Sequence, residues 1–347
     1  MGGIGVIINP RSRQNLSDPR AAVRLARTLG DHGVVRTART REDLARIAED
    51  FRKLDIDVLG ISGGDGTNHV TITGFLDVYE DEPLPPIAFL RGGTMNTVAN
   101  AVGVPRGRPD GLLAGLIARY TDRGRHPLRW IERHVMHIGA HYGFIFGTGC
   151  VHGFIAEYNR SEERSAIWAA KVLARASAAV LLKTDTQVAA RWEGRVHFED
   201  GSSFPDRDYL AVAAGTVDQI GLGFRPFHRY DERPESFHML GIHTTALGFV
   251  RKLRDIWRAQ PMGEAHTFEK IARRAVLEAR SGVVRYVCDG DVHEHVGPLT
   301  VRIGPRVKIL VEHKSGHRPV GDRRTPHDVY GPGEGARGRA FMRGRAR

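Results

Sequence analysis

Residues 4–8 (IGVII) form a short Ile/Val run that ends at Asn9-Pro10, the pattern of a buried parallel strand feeding a loop. Segment 18–30 (DPRAAVRLARTLG) carries apolar residues at Ala22, Val23, Leu25, Ala26 and Leu29. With Asp18 as N-cap, Pro19 at the first helical position and Gly30 as terminator, it predicts a helix. The alternation continues with a strand over 33–38, a helix over 42–51 and a strand over 57–62 (DVLGIS). A Gly-rich turn at 63–66 then opens a helix over 68–79, and a strand over 86–90 (PIAFL) leads to a second Gly turn at 92–93 and a short helix over 98–101. Strands alternating with helices imply a parallel sheet with right-handed crossovers. Both glycine turns follow a strand and precede a helix, which puts them at the carboxyl edge of an open α/β sheet, where ligands bind.

Beyond residue 130 the pattern changes to strand-like runs at 134–138, 142–146, 187–191, 195–198, 209–214, 236–242, 283–288 and 299–311. Helical segments are expected near 160–183, 245–258 and 267–275. The chain therefore divides into an α/β unit over 1–130, a mainly antiparallel β-sandwich over 131–314, and a basic tail over 315–347. The first two are expected to meet at a cleft.

A length of 347 residues fits two domains, and 41% hydrophobic with 26% charged residues excludes wholesale disorder and fibrous chains. Two cysteines, Cys150 and Cys288, give no disulfide framework and no metal–thiolate cluster, as expected of a protein in a reducing cytosol. The opening MGGIGVIINPRSRQ puts its apolar run before its charges and is not expected to be a signal peptide. Segment 166–182 is too short for a bilayer span and contains Lys171 and Arg175, so no transmembrane helix is expected. It reads as an amphipathic helix packed on the β domain. The alternative is a helix that lines a lipid pocket or rests on a bilayer through Ile167, Trp168, Val172, Leu173 and Leu181, with Lys171, Arg175 and Lys183 toward phosphates. The formal charge of +11 would draw the chain to anionic partners. From 318 to 347, however, eight Arg stand against three acids, so +5 belongs to a Gly/Arg/Pro-rich end expected to be disordered and solvated. Contact of that end with anionic membrane is open; no specific nucleic-acid partner is expected.

The chemistry concentrates in two segments. In Ser62-Gly63-Gly64-Asp65-Gly66-Thr67-Asn68, glycines let the main chain approach a bulky anion, and the N–H groups opening the next helix supply donors. Asp65 is ill suited to touch phosphate directly; it suits Mg²⁺ or a hydroxyl that must lose its proton, or else caps a helix. In Arg91-Gly92-Gly93-Thr94-Met95-Asn96-Thr97, Thr94 and Asn96 offer short neutral polar groups. Two such turns about thirty residues apart on adjacent strand ends predict one joint phosphate site.

The combination of NPRS at 9–12, GGDGT at 63–67 and PIAFLRGGTMNTVANAVGVP at 86–105 resembles the diacylglycerol kinase catalytic-domain family, which includes bacterial lipid kinases and sphingosine kinases. GTGCVHGF at 147–154 and CDGDVHEH at 288–295 extend the likeness. The resemblance implies a two-domain kinase, peripheral to the inner membrane face, that transfers the γ-phosphoryl group of ATP to a lipid hydroxyl with Mg²⁺. By position, Asn9, Arg11, Ser12, Gly63, Gly64, Gly66, Thr67, Gly93, Thr94 and Asn96 would hold nucleotide. Asp291 would be the general base, and Asp65 and Asp289 would organise metal or substrate, Asp65 being the metal residue. Diacylglycerol, a sphingoid base or a similar long-chain alcohol would be the acceptor. An NAD kinase-like phosphotransferase and a catalytically silent nucleotide- or lipid-binding regulator are the competing readings.

The chain departs from the family pattern at several points. Arg13-Gln14 replaces the usual Gly-Lys, with Arg11 or Arg13 able to restore the charge, and Thr97 stands where an acid is common. GCVHGFIAEY lacks the usual acid, and Asp291 replaces Glu. Asp231-Glu232-Arg233-Pro234-Glu235 replaces a metal-associated Asp-Asp-Gly stretch, so no structural Mg²⁺ is expected there. His134, His137 and His141 fall on a strand at spacings that do not share one face, so they read as exposed or hairpin histidines. His293 and His295 share a strand face with Asp291.

Overall fold

The computed structural model describes residues 2–16, 18–122, 124, 127–161, 165–182 and 190–311, without the side chains of Arg13, Gln14 and Leu181. The expected runs at 187–191 and over the basic tail, together with Lys183, fall wholly or largely outside the described residues. The first part runs β1 (Ile4–Ile8), α1 (Arg13–Leu16), α2 (Ala21–Leu29), β2 (Gly33–Thr37), α3 (Arg41–Lys53), β3 (Val58–Ser62), α4 (Asp65–Tyr79), β4 (Ile87–Phe89), α5 (Thr97–Ala101) and α6 (Pro109–Thr121). The strands lie in the parallel order β2-β1-β3-β4, with Ile4 paired to Gly33 on one side and Val58 on the other. β1 and β3 are buried throughout, as parallel strands covered on both faces must be. α3 starts in a capping box between Thr40 and Asp43 and buries Leu44, Ile47, Ala48 and Phe51, one stripe at helical spacing. Phe51 meets Phe75 of α4 edge to face, with ring centres 6.1 Å apart. α2 begins three residues after Asp18, whose carboxylate accepts from Arg20 N and pairs with Arg24 instead of capping the helix.

The rest of the chain forms β5 (Trp130–Ile138), β6 (His141–Gly143), β7 (Ile145–Thr148), α7 (Cys150–Arg160), α8 (Ala166–Leu181), β8 (Trp192–Phe198), β9 (Ser203–Tyr209), β10 (Ala211–Gly215), β11 (Phe237–Ile242), α9 (Ala246–Trp257), β12 (Thr267–Ala272), β13 (Arg274–Ala279), β14 (Val283–Cys288), β15 (Asp291–Val296) and β16 (Leu299–Leu310). The helix expected over 267–275 is absent: these residues belong to β12 and β13. Glu269, Lys270, Ala272, Ala275 and Leu277 favour helix locally, but β13 sits between β16 and β8 with Ala275 and Leu277 fully buried, so sheet packing overrides propensity.

Six strands, β12-β11-β10-β7-β14-β15, form an antiparallel sheet. The other sheet is continuous with the parallel one, because β16 pairs β4 at Ile309–Ile87 and also pairs β5 and β13. The two sheets face each other across a core that includes Met136, Val196, Phe237, Met239, Leu277 and Tyr286. Side-chain alternation then sends Ala213, Leu240 and Ile242 to the opposite face of the six-stranded sheet, where they border a cavity. No described helix is long and apolar enough to cross a membrane.

Candidate active site

The two glycine turns touch. A methyl group at Gly93 would stand 2.1 Å from Gly64 Cα, and one at Gly64 would stand 3.1 Å from Gly93 Cα. These positions are glycine because two backbones pass where no side chain fits. α4 starts at Asp65, immediately after Gly64, so the N–H groups of its first turn open at this contact with no helical partner of their own. Such a helix start favours an anion by both its donors and its dipole.

Asp65 points sideways out of that turn. Its Oδ2 accepts from Thr97 N at 2.9 Å and its Oδ1 from Val98 N at 3.2 Å, so it caps the start of α5 and locks one glycine turn to the other. Burial pushes its carboxyl above the usual range, against the two amide donors. Asn96 adopts the left-handed conformation (φ 47°) and donates to Gly93 O at 2.7 Å. Arg91, buried, reaches Asn100 Oδ1 at 2.8 Å and the Val104 carbonyl, fixing the far side of the same loop. The NPRS loop is held from below: Asn9 Nδ2 donates to Thr67 Oγ1 at 3.0 Å, and the buried Asn15 donates to Asn9 O and Ser62 O at 2.8 and 3.2 Å.

The opposite wall comes from the β14–β15 hairpin. Its two turn residues, Asp289 (φ 46°) and Gly290 (φ 93°), are both left-handed, the geometry of a tight two-residue hairpin. The Asp289 carboxylate is 3% exposed and accepts from Phe144 N and Ile145 N at 2.8–3.1 Å, tying the hairpin to the start of β7. Burial raises its carboxyl well above the ordinary range. Asp291, opening β15, faces the helix start: a methyl group at Gly66 would lie 2.6 Å from Asp291 Oδ1. The carboxylate thus stands across the first turn of α4, bridging parts of the chain 225 residues apart.

Between these walls lies a cavity of about 1130 Å³. Of the residues singled out from sequence, Asn9, Arg11, Ser12, Gly64, Asp65, Gly66, Thr67, Gly93, Thr94, Asp289 and Asp291 line it. Gly63 and Asn96 do not: Gly63 is pressed against Thr67, and Asn96 is folded back on Gly93, so both shape the turns from behind. Arg13 was a candidate for the missing charge, but its side chain lies outside the described part. Arg39, between β2 and α3, and Arg41, the first residue of α3, line the cavity and escaped the sequence reading. Their signal was position, immediately after a parallel strand at the same sheet edge.

Away from the glycine turns the cavity becomes apolar. α7 contributes Val151, Phe154, Ile155 and Tyr158, α8 contributes Ala169 and Leu173, and α9 contributes Phe249, Leu253 and Ile256. α7 was not foreseen, although 151, 154, 155 and 158 follow the helical i, i+3, i+4, i+7 spacing. On α8, Ala169 and Leu173 border the cavity, Val172 is buried, and Ile167 is 69% exposed.

Comparison with known proteins agrees with this architecture. Residues 3–125 match the diacylglycerol kinase catalytic domain. Probable lipid kinase YegS from Shigella flexneri and from Escherichia coli (strain HS) are each 35% identical over 100 residues, which is 29% of this chain and 33% of theirs. The match therefore spans a third of the length of these curated relatives. The fold is similar to that of a diacylglycerol kinase from Bacillus anthracis str. Sterne (TM-score 0.58, 15% identity, 89% of this chain and 97% of that one). A second crystal structure from the same organism gives a TM-score of 0.62 at 14% identity over the same shares. Residues 3–125 are thus similar to the catalytic domain of the diacylglycerol kinases, and the fold over 89% of the chain is similar to that of solved diacylglycerol kinases.

Proposed function

We propose that the protein transfers the γ-phosphoryl group of ATP to the hydroxyl of a long-chain lipid alcohol. The observation that carries this reading is the place of Asp291: its carboxylate stands across the first turn of α4, beside the glycine turns, in a cavity that is also lined by apolar side chains of α7, α8 and α9. A chain lying among Phe154, Leu173, Leu240 and Phe249 would present its polar head at Asp291. The cavity exceeds the ~300–1,000 Å³ typical of small-molecule pockets, as a long chain requires. The apolar end also argues against a polar dinucleotide acceptor.

The residues at the other end fit a nucleotide triphosphate. The Gly64–Gly93 contact leaves a cradle that any Cβ would fill, and the buried Ser12 Oγ lines the cavity with no protein partner. α4's opening amides and Ser12 hold the phosphates, while Arg11, Arg39 and Arg41 offset their charge. Asp65, a carboxylate facing the cavity beside the glycine turns, is the residue that would hold Mg²⁺. When bound, the cation neutralises charge on the phosphates. Asp291 accepts the hydroxyl proton as the lipid oxygen bonds to phosphorus and the bond from phosphorus to the β-phosphate oxygen breaks. Asp289 acts as a positioning residue by holding the hairpin. Exposed Ile167, Leu182 and Trp257, on or next to α8 and α9, support entry of the lipid from an anionic bilayer at the cytoplasmic face.

Asp291→Asn tests the reading. With radiolabelled ATP and lipid in mixed micelles, kcat should fall by about 10²–10⁴-fold with ATP affinity unchanged. Normal turnover would place the base elsewhere.

A further inference from the structure

His69 lies on α4, His141 opens β6 and His293 lies on β15, three elements separated in sequence. One ring nitrogen from each lies within 4.8 Å of the other two. The ring centres are 5.4 Å (His69–His141), 5.5 Å (His69–His293) and 4.1 Å (His141–His293) apart. His134 and His137 take no part: His134 bonds Gly304 O, and His137 accepts from Arg302 while stacking on Tyr142.

Two features separate this cluster from ordinary packed histidines. First, His69 Nδ1 lies 2.7 Å from Tyr142 O, so the proton sits on Nδ1 and Nε2 keeps its lone pair. A backbone carbonyl on the far nitrogen is the support that metal-bound histidines commonly have. Second, the Nε2 atoms of His69 and His293 are both buried without a hydrogen-bond partner. Leaving such atoms unpaired is costly, and a ligand between them would satisfy both.

We infer that His69, His141 and His293 form a binding site for a divalent transition-metal ion, Zn²⁺ foremost, that ties the nucleotide-side helix α4 to the hairpin carrying Asp291. Three imidazoles and no carboxylate select such an ion over Mg²⁺ or Ca²⁺, which take oxygen ligands. Three protein ligands leave a fourth position for water. Burial depresses the pKa of His69 to about 4 and, aided by its neighbours, that of His293 to about 3, while His141 is also lowered; all three are kept in the neutral form that ligates metal. The field of Arg41 reaches all three rings and works against a cation, so affinity must come from direct nitrogen bonds. Zn–N bonds of about 2.0–2.1 Å place tetrahedral ligand nitrogens about 3.4 Å apart, so the present spread closes by about 1.4 Å at most through rotation of the two half-buried rings. The site is independent of the phosphoryl-transfer reading.

The test uses tag-free, metal-depleted full-length protein titrated with Zn²⁺ by calorimetry. One equivalent should bind, and at a hundredfold excess over Kd the Tm should rise by about 5 °C. His141→Ala and His293→Ala should each weaken binding by more than the about 10–100-fold that loss of a supporting partner costs. His137→Ala and His295→Ala should leave it unchanged. Equal binding by wild type and the His141→Ala/His293→Ala double variant would overturn the site. Co²⁺ absorption of the wild type gives a readout that does not depend on any variant folding. Intense visible bands of a four-coordinate nitrogen site are expected; only the weak spectrum of the hydrated ion would overturn the proposal.

Discussion

The two ends of the cavity are built on different principles. The polar end is made of backbone: Gly64 and Gly93 in contact, the opening amides of α4, and a carboxylate, Asp65, occupied in holding two turns together. The apolar end is made of side chains from three helices and one sheet face, none of them special alone. A backbone-built end tolerates no change of shape, whereas a side-chain-built end adapts its volume by one substitution at a time. Phosphate geometry is fixed and lipid geometry is not, so the division suits the phosphoryl transfer proposed above, with one donor and a variable acceptor.

Substitutions at the two ends should therefore fail in different ways. The largest effect is expected for Gly93→Ala, whose methyl group has only the Gly64 backbone to push against. It should cost about 3 kcal/mol or more in urea unfolding and abolish ATP binding. Native ATP affinity in this variant would show that the turns are not a rigid unit. Next comes Leu240→Trp, which fills part of the apolar end from the sheet. KM for long-chain acceptors should rise about tenfold, some 1.4 kcal/mol, with ATP Kd unchanged. A parallel loss of ATP binding would mean that the two ends are coupled. The smallest effect is expected for Asn15→Ala, which removes two hydrogen bonds beneath the NPRS loop. About 1–2 kcal/mol of stability should be lost, with ATP Kd weakened only a few-fold and lipid KM unmoved.

The same division explains what could be read from the chain. Glycines forced by backbone contact leave a local signature, so the parallel strands, both turns and their meeting were legible before any coordinates. The late Asp-Gly pair was visible too, but not the inward turn of Asp289 onto Phe144 and Ile145, which depends on contacts about 145 residues away. The apolar end was largely hidden, since Val151, Phe154 and Leu173 look like core until a hollow is found beside them. Residues 267–275 misled because local helix preference lost to burial between strands. His69 gave no sign of belonging with His141 and His293: on a helix it is one more buried residue, and only folding brings β15 and β6 to it.

β16 closes the architecture from the far end of the described chain. Its final residues pair with β4, so the strand that completes the first sheet is made more than two hundred residues after that sheet begins. During synthesis on the ribosome, β4 stands as an unpaired edge until residue 310 emerges, a template for mispairing that the nascent chain must survive. A fragment ending near residue 125 carries the matched catalytic segment yet keeps that raw edge for good, and its solubility should suffer accordingly.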